Sequence, residues 1–199
     1  MPRVVLQAGH QNRTTGATGA PEEMANNIRI RDAVGKILIA KGFQVTLCDA
    51  NFRSTEDFSL ALALHCDANY DGNEGGGFID YPDPSIDAAN TESKRIKEEM
   101  ERVYFNHSGI RNMPNRSNTN TKFYYWWSYL SAKTPCVILE MGESIDPHDK
   151  VLLADTVRIA NAIANADNVW LRFSPTPQAR QSAQVPQEKV HLVKLAANL

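Results

Sequence analysis

Four side chains able to bind a metal or move a proton stand where the chain's apolar runs end or begin. Arg3-Val4-Val5-Leu6-Gln7-Ala8-Gly9-His10 carries β-branched and apolar residues straight into a small-small-His turn. A short apolar run closed by glycine reads as a buried strand, and Gly9 lets the backbone turn sharply beside His10. Ser59-Leu60-Ala61-Leu62-Ala63-Leu64-His65 is apolar on both faces, as in a central parallel strand, and ends in a second histidine. Cys136-Val137-Ile138-Leu139-Glu140-Met141-Gly142 is a third such run, ending in a carboxylate followed by glycine. The fourth group, Glu23, lies in the opening turn of a helix predicted from Pro21 to Lys41, with proline suited to its first turn and Gly42 as its stop.

Helical periodicity separates Glu23 from its neighbour. From Glu23, steps of three and four pass Asn27, Ile30, Val34, Ile37 and Leu38, an increasingly apolar face. From Glu22 they pass Asn26, Arg29, Ala33 and Lys36, a solvent face. Glu23 therefore points inward and needs a partner or a metal, because burying a bare carboxylate is costly. Glu22 reads as a surface charge favoured by the helix dipole.

In open α/β sheets, ligands bind beyond the carboxyl ends of the strands. If the strands are parallel, His10, His65 and Glu140 converge on one rim beside Glu23. Two imidazoles and a carboxylate make a zinc site with a fourth position open, as in catalytic sites; zinc there lowers the pKa of bound water to about 7. A further carboxylate is then wanted as general base and acid, and Glu140 fills that role. Spacing alone leaves the alternative of structural histidines open, because no local HExxH pattern is present and the groups are far apart in sequence.

The elements that position them follow a βαβ pattern. Phe43–Cys48 is a strand joined to the first through the helix, which implies a parallel pair with a right-handed crossover. Gly77–Tyr81 is a short strand stopped by Pro82 and Pro84, Ile86 to Asn106 a charged amphipathic helix, and Pro147 to Ala166 a helix with Val151, Leu152, Ile159, Ala160 and Ile163 as its apolar face. The charges of Glu92–Arg102 form a solvated face. Gln11–Pro21, Cys66–Gly76 and His107–Lys122 read as loops, the last long enough to suggest function. Phe123-Tyr124-Tyr125-Trp126-Trp127 is either core or the lining of a groove. His107, His148 and His191 read as incidental surface groups and Asp149 as a dipole or capping charge. The expected fold is a three-layer α/β domain: a mostly parallel twisted sheet with helices on both faces.

The chain has 199 residues, enough for one domain with a full core. The catalytic unit is placed at residues 1–173. Residues 174–199 form a Pro/Gln/Ser-rich linker and a tail able to make one amphipathic helix. A net charge of −2 argues against nucleic-acid binding, and no apolar run is long enough to span a bilayer. Cys48, Cys66 and Cys136, odd in number and set in apolar stretches, read as buried reduced thiols. No signal peptide precedes the first strand, so synthesis in the cytoplasm is expected; a monomer is the default.

Several stretches together resemble the zinc-dependent N-acetylmuramoyl-L-alanine amidases of the type 3 amidase family. They are Val4-Val5-Leu6-Gln7-Ala8-Gly9-His10, Gly16-Ala17-Thr18-Gly19, Glu23 with Asn27-Ile28, Ala63-Leu64-His65-Cys66-Asp67-Ala68, and Pro135-Cys136-Val137-Ile138-Leu139-Glu140-Met141-Gly142 with Asp149 and Leu152-Leu153. The likeness runs in order from Arg3 to Ala166. It implies a peptidoglycan hydrolase that cuts the amide between N-acetylmuramic acid and the first L-alanine of the stem peptide. It also implies zinc on His10, Glu23 and His65, and Glu140 as the catalytic glutamate. The chain departs from the family at Gln7, where aspartate is usual, at Gln11 (glycine), at Asp67 (asparagine) and at Glu143-Ser144-Ile145-Asp146, in place of an aromatic-led turn. The resemblance implies action at the bacterial cell wall, as a phage lysis enzyme or an autolysin module. A zinc carboxypeptidase acting on wall peptides uses the same ligand types, and a non-catalytic wall-binding protein with a vestigial metal site is the alternative of another class.

Overall fold

The computed structural model describes residues 1–13, 22–67, 75–86, 89–166 and 169–170. Its elements are β1 (Arg3–Ala8), α1 (Glu23–Ala40), β2 (Gln44–Cys48), β3 (Leu60–Asp67), β4 (Phe78–Asp80), α2 (Asn90–Ser108), α3 (Thr119–Lys122), β5 (Cys136–Glu143), α4 (Pro147–Ala154) and α5 (Thr156–Ala164), with 3-10 turns at Pro114–Arg116 and Tyr125–Tyr129. The strands form one sheet in the order β2-β1-β3-β5-β4. All neighbours run parallel except β4, which pairs antiparallel with β5 at the edge.

Strand pleating divides the core in two, since successive side chains leave opposite faces. Val4, Leu6, Leu60, Leu62, Leu64, Val137, Leu139 and Met141 meet Ile30, Val34 and Leu38 of α1, Ile96 and Met100 of α2 and Ile159 and Ile163 of α5. Val5, Ala61, Ala63, Cys136 and Ile138 face the other way, against Trp126, Trp127 and Leu130. Helices thus cover both faces, as expected of a three-layer α/β domain: long ones on one side and the aromatic 3-10 helix at Tyr125–Tyr129 on the other. The alternation of leucine with alanine in β3 fits this: large side chains meet the helices, small ones make room for indoles.

Several boundaries differ from the sequence reading. The Pro147–Ala166 helix is two helices, because Asp155 interrupts it and caps the second by accepting from Arg158 N. Val151 is therefore 72% exposed rather than part of an apolar face, and Leu153 is buried instead. Cys66 and Asp67 belong to β3 rather than to the loop after it. His107 lies in the last turn of α2, its Nδ1 2.8 Å from Val103 O. All three cysteines are buried and free. Pro21, His191, Gly16–Gly19 and the 174–199 segment lie outside the described residues.

Candidate active site

The site forms where the smaller core runs out at the carboxyl ends of the strands. Along β1 the face that holds Val5 next presents Gln7; along β3, Ala63 is followed by His65; along β5, Ile138 is followed by Glu140. His65 and Glu140 are register partners on adjacent strands. Pleating thus aims a glutamine, a histidine and a glutamate at one place.

Just past β1, His10 is reached by a left-handed backbone, φ 62°. The sharp turn falls on His10 itself, not on Gly9 as expected. What Gly9 supplies is space: a Cβ there would lie 2.5 Å from Cε1 and Nε2 of His65. Asn27, buried on the same helix face as Glu23, donates to Gly9 O at 3.2 Å and ties α1 to this turn.

Glu23 opens α1 and is 3% exposed, as helical spacing indicated. Its Oε1 is 3.1 Å from His10 Nε2. The His10 and His65 rings meet edge to face, centroids 4.9 Å apart. His10, Glu23 and His65 each offer a donor atom, all within 4.8 Å of one another. Burial and the neighbouring His10 push the His65 imidazolium down to about 3, so at neutral pH His65 is uncharged. Glu22, by contrast, faces solvent and pairs with Lys150 at 3.2 Å.

Glu140 is buried, and its Oε2 has no hydrogen-bond partner among the described residues. Desolvation, with Asp67 and Glu23 nearby, raises its carboxyl well above the usual range. A buried, orphaned carboxylate oxygen beside two imidazoles and a second carboxylate is what a bound cation would satisfy. The donor set fits a divalent metal.

These groups line a cleft of about 810 Å³, together with Arg13, Asp67, Arg116, Asn118, Phe123, Tyr124 and Tyr125. The aromatic run serves both of its possible roles. Trp126 and Trp127 are core, whereas Phe123 is 49% exposed and reaches the cleft with Tyr124 and Tyr125. Arg116 escaped sequence reading, since the loop that carries it has no periodicity. It lies 3.3 Å from Glu143 Oε1 and 3.7 Å from Asp67 Oδ2. That arrangement also separates the two glutamates of β5: Glu143 faces Arg116, and Glu140 lines the cleft with the histidines. Asp149 is no helix cap; Asp146 is. Asp149 is buried and accepts from Glu143 N at 3.0 Å and Gly76 N at 2.5 Å, fixing the end of β5.

A family model for N-acetylmuramoyl-L-alanine amidases matches residues 4–167. The chain belongs to this family. Comparison with curated proteins gives no match. Among solved structures, the catalytic domain of CwlV, an N-acetylmuramoyl-L-alanine amidase from Bacillus (Paenibacillus) polymyxa var. colistinus, is 18% identical with a TM-score of 0.64, covering 87% of this chain and 99% of that one. The N-acetylmuramoyl-L-alanine amidase from Clostridium difficile 630 is 17% identical with a TM-score of 0.65, covering 86% and 97%. The catalytic domain of the CD27L endolysin, which targets Clostridia difficile, is 13% identical with a TM-score of 0.61, covering 88% and 100%. At these identities the likeness speaks for the fold, and this family member shares it over 86–88% of its length. None of its described helices is long and apolar enough to cross a membrane.

Proposed function

We propose that this chain is a zinc-dependent peptidoglycan hydrolase that cleaves the amide between N-acetylmuramic acid and the L-alanine of the stem peptide. The observation that carries the reading is the meeting of His10, Glu23 and His65 donor atoms within 4.8 Å, beside Glu140 in register with His65. His10, Glu23 and His65 would hold the metal, and Glu140 would be the catalytic carboxylate. Zinc at such a site supplies Lewis-acid polarisation of a carbonyl and acidification of water.

The chain's own residues do the rest. Glu140 accepts a proton from the attacking water as the new carbon–oxygen bond forms. It then gives that proton to the alanine nitrogen as the carbon–nitrogen bond breaks. Its upward-shifted carboxyl suits the donating half of this cycle. The cleft walls that carry Tyr125, Phe123 and Arg116 orient the muramyl peptide. Family membership supports an amidase, and the ligand set supports zinc. Residues 1–173 form the catalytic unit in this reading, residues 174–199 a linker and tail, and the enzyme acts as a monomer at the bacterial wall.

Two measurements test it: metal content of protein purified without chelator, and products from purified muropeptides. The expected result is one zinc per chain and release of intact stem peptide with a new L-alanine amino terminus. Release of single amino acids would assign a carboxypeptidase. Sacculi bound but left uncut by both the parent and Glu140→Ala would assign a wall-binding protein.

A further inference from the structure

Tyr124 stands apart from the rest of the aromatic run because its hydroxyl is turned to His65. His65 Nε2 lies 3.0 Å from Tyr124 Oη, and Tyr124 Oη donates to Gln7 Oε1 at 3.0 Å. Tyr124 Oη also lies 3.3 Å from Tyr125 Oη, whose own proton goes to Ala50 O at 3.0 Å. The direction of the chain follows from the proton that Tyr124 gives to Gln7 Oε1. Tyr125 has one proton and gives it to a carbonyl, so toward Tyr124 it can only accept. Gln7 presents its oxygen. Given to Gln7 Oε1, the single Tyr124 proton points away from His65 and leaves a Tyr124 lone pair facing Nε2. A neutral imidazole carries one N–H, and here it belongs on Nε2. The Tyr124 and His65 rings meet edge to face at 5.3 Å, and Gly9 lies against the face of the imidazole.

We propose that Tyr124, backed by Gln7, is a positioning residue that fixes His65 as its Nε2–H tautomer and so makes Nδ1 the nitrogen offered to the metal. This rests on the metal reading of the site. It also gives a role to Gln7, which stands where the family resemblance leads one to expect aspartate. A carboxylate there would only accept, whereas an amide both accepts and donates. Gln7 is fully buried and its Nε2 has no partner among the described residues, so the amide is the weak link of the chain.

The test uses Tyr124→Phe, Gln7→Leu and Gln7→Asp in the full chain, with two readouts. One is ¹⁵N NMR of the His65 ring in metal-free protein. The other is zinc affinity by competition with a chromophoric chelator. The parent is expected to show protonated Nε2. Tyr124→Phe, which keeps the ring, is expected to yield a tautomer mixture and about 10- to 100-fold weaker zinc binding, the usual cost of losing a ligand's outer partner. Gln7→Leu leaves the Tyr124 proton the longer contact to Tyr125 and the nearer Nε2 of His65, so it shifts His65 toward Nδ1–H and weakens zinc in the same direction. Gln7→Asp keeps the parent tautomer. Unchanged spectrum and affinity in Tyr124→Phe and Gln7→Leu overturn the proposal while leaving the zinc site intact. A parent that takes up no zinc overturns the reading of the site itself, and Tyr124's role with it.

Discussion

Gly9 packs against the face of the His65 ring so closely that a methyl group on it would sit 2.5 Å from Nε2. The imidazole cannot yield without leaving Tyr124, 3.0 Å away. Gly9→Ala is therefore expected to push His65 off the His10–Glu23 pair and weaken zinc binding about 10- to 100-fold. Chelator competition measures it; an alanine variant with parental affinity would show that the ring is free to move.

Glu140→Gln separates turnover from stability. Loss of the proton carrier is expected to lower kcat by about 10²- to 10⁴-fold with metal content unchanged. The metal-free variant should nevertheless be more stable than the metal-free parent at neutral pH. The folded parent holds the Glu140 proton more tightly than the unfolded chain does. That contribution is present below the usual carboxylate range and is lost as pH rises through the raised folded value. Urea unfolding of both proteins from pH 4 to 8 checks the sign, and a stability gap that does not widen with pH would contradict it.

His65 supplies the opposite linkage. Its imidazolium is pushed down to about 3 from 6.5, so the folded protein takes up this proton less readily than the unfolded chain. Metal-free protein should lose stability from this group as pH falls from 6.5 toward 3. Proton NMR of the His65 ring should show no titration near neutrality. An ordinary midpoint would mean that the ring is solvated.

Asp80 anchors the cleft wall. It is buried on β4 and accepts from Ser117 Oγ at 2.7 Å and Thr121 Oγ1 at 2.6 Å, pinning the segment that carries Arg116 and Asn118. Asp80→Ala should cost about 2–3 kcal/mol in denaturant unfolding, because two side-chain bonds to a buried residue are lost and Thr121 Oγ1 is left with Asn118 O alone to accept its proton. The loosened wall should raise KM more than it lowers kcat. Equal effects on both would place the segment closer to the chemistry.

How much of this was legible depended on whether a residue's role was encoded locally. Glu23 was readable because helical steps from it meet Ile30, Val34 and Leu38, and the helix buries that face. His10, His65 and Glu140 were readable because each closes an apolar run. Parallel pairing then brings run ends together. The antiparallel β4 was not legible as such, since three residues carry no sign of their direction. Asp149 stands in the first turn of α4, as a dipole charge would, but the capping role falls to Asp146, three residues earlier, and the contacts of Asp149 to Gly76 and Glu143 arise only in the folded chain. Arg116 and the hydroxyl of Tyr124 act through partners more than twenty residues away in sequence, and no local pattern encodes that.

The irregularity between β3 and β5 has a further reach. His65 pairs with Glu140 and Asp67 with Glu143, so two residues of β5 stand against one of β3, and Gly142 takes a φ of 149° within that surplus. The surplus residue works as a phase shifter. It sets Glu143 across from Asp67, with Arg116 bridging both, and leaves Glu140 alone beside the imidazoles. Excising Gly142 would put the strand half a period out of step and strip Arg116 of its inner anchor. Laboratory evolution that begins from a disabled Glu140 should accordingly never recruit Glu143 as its substitute.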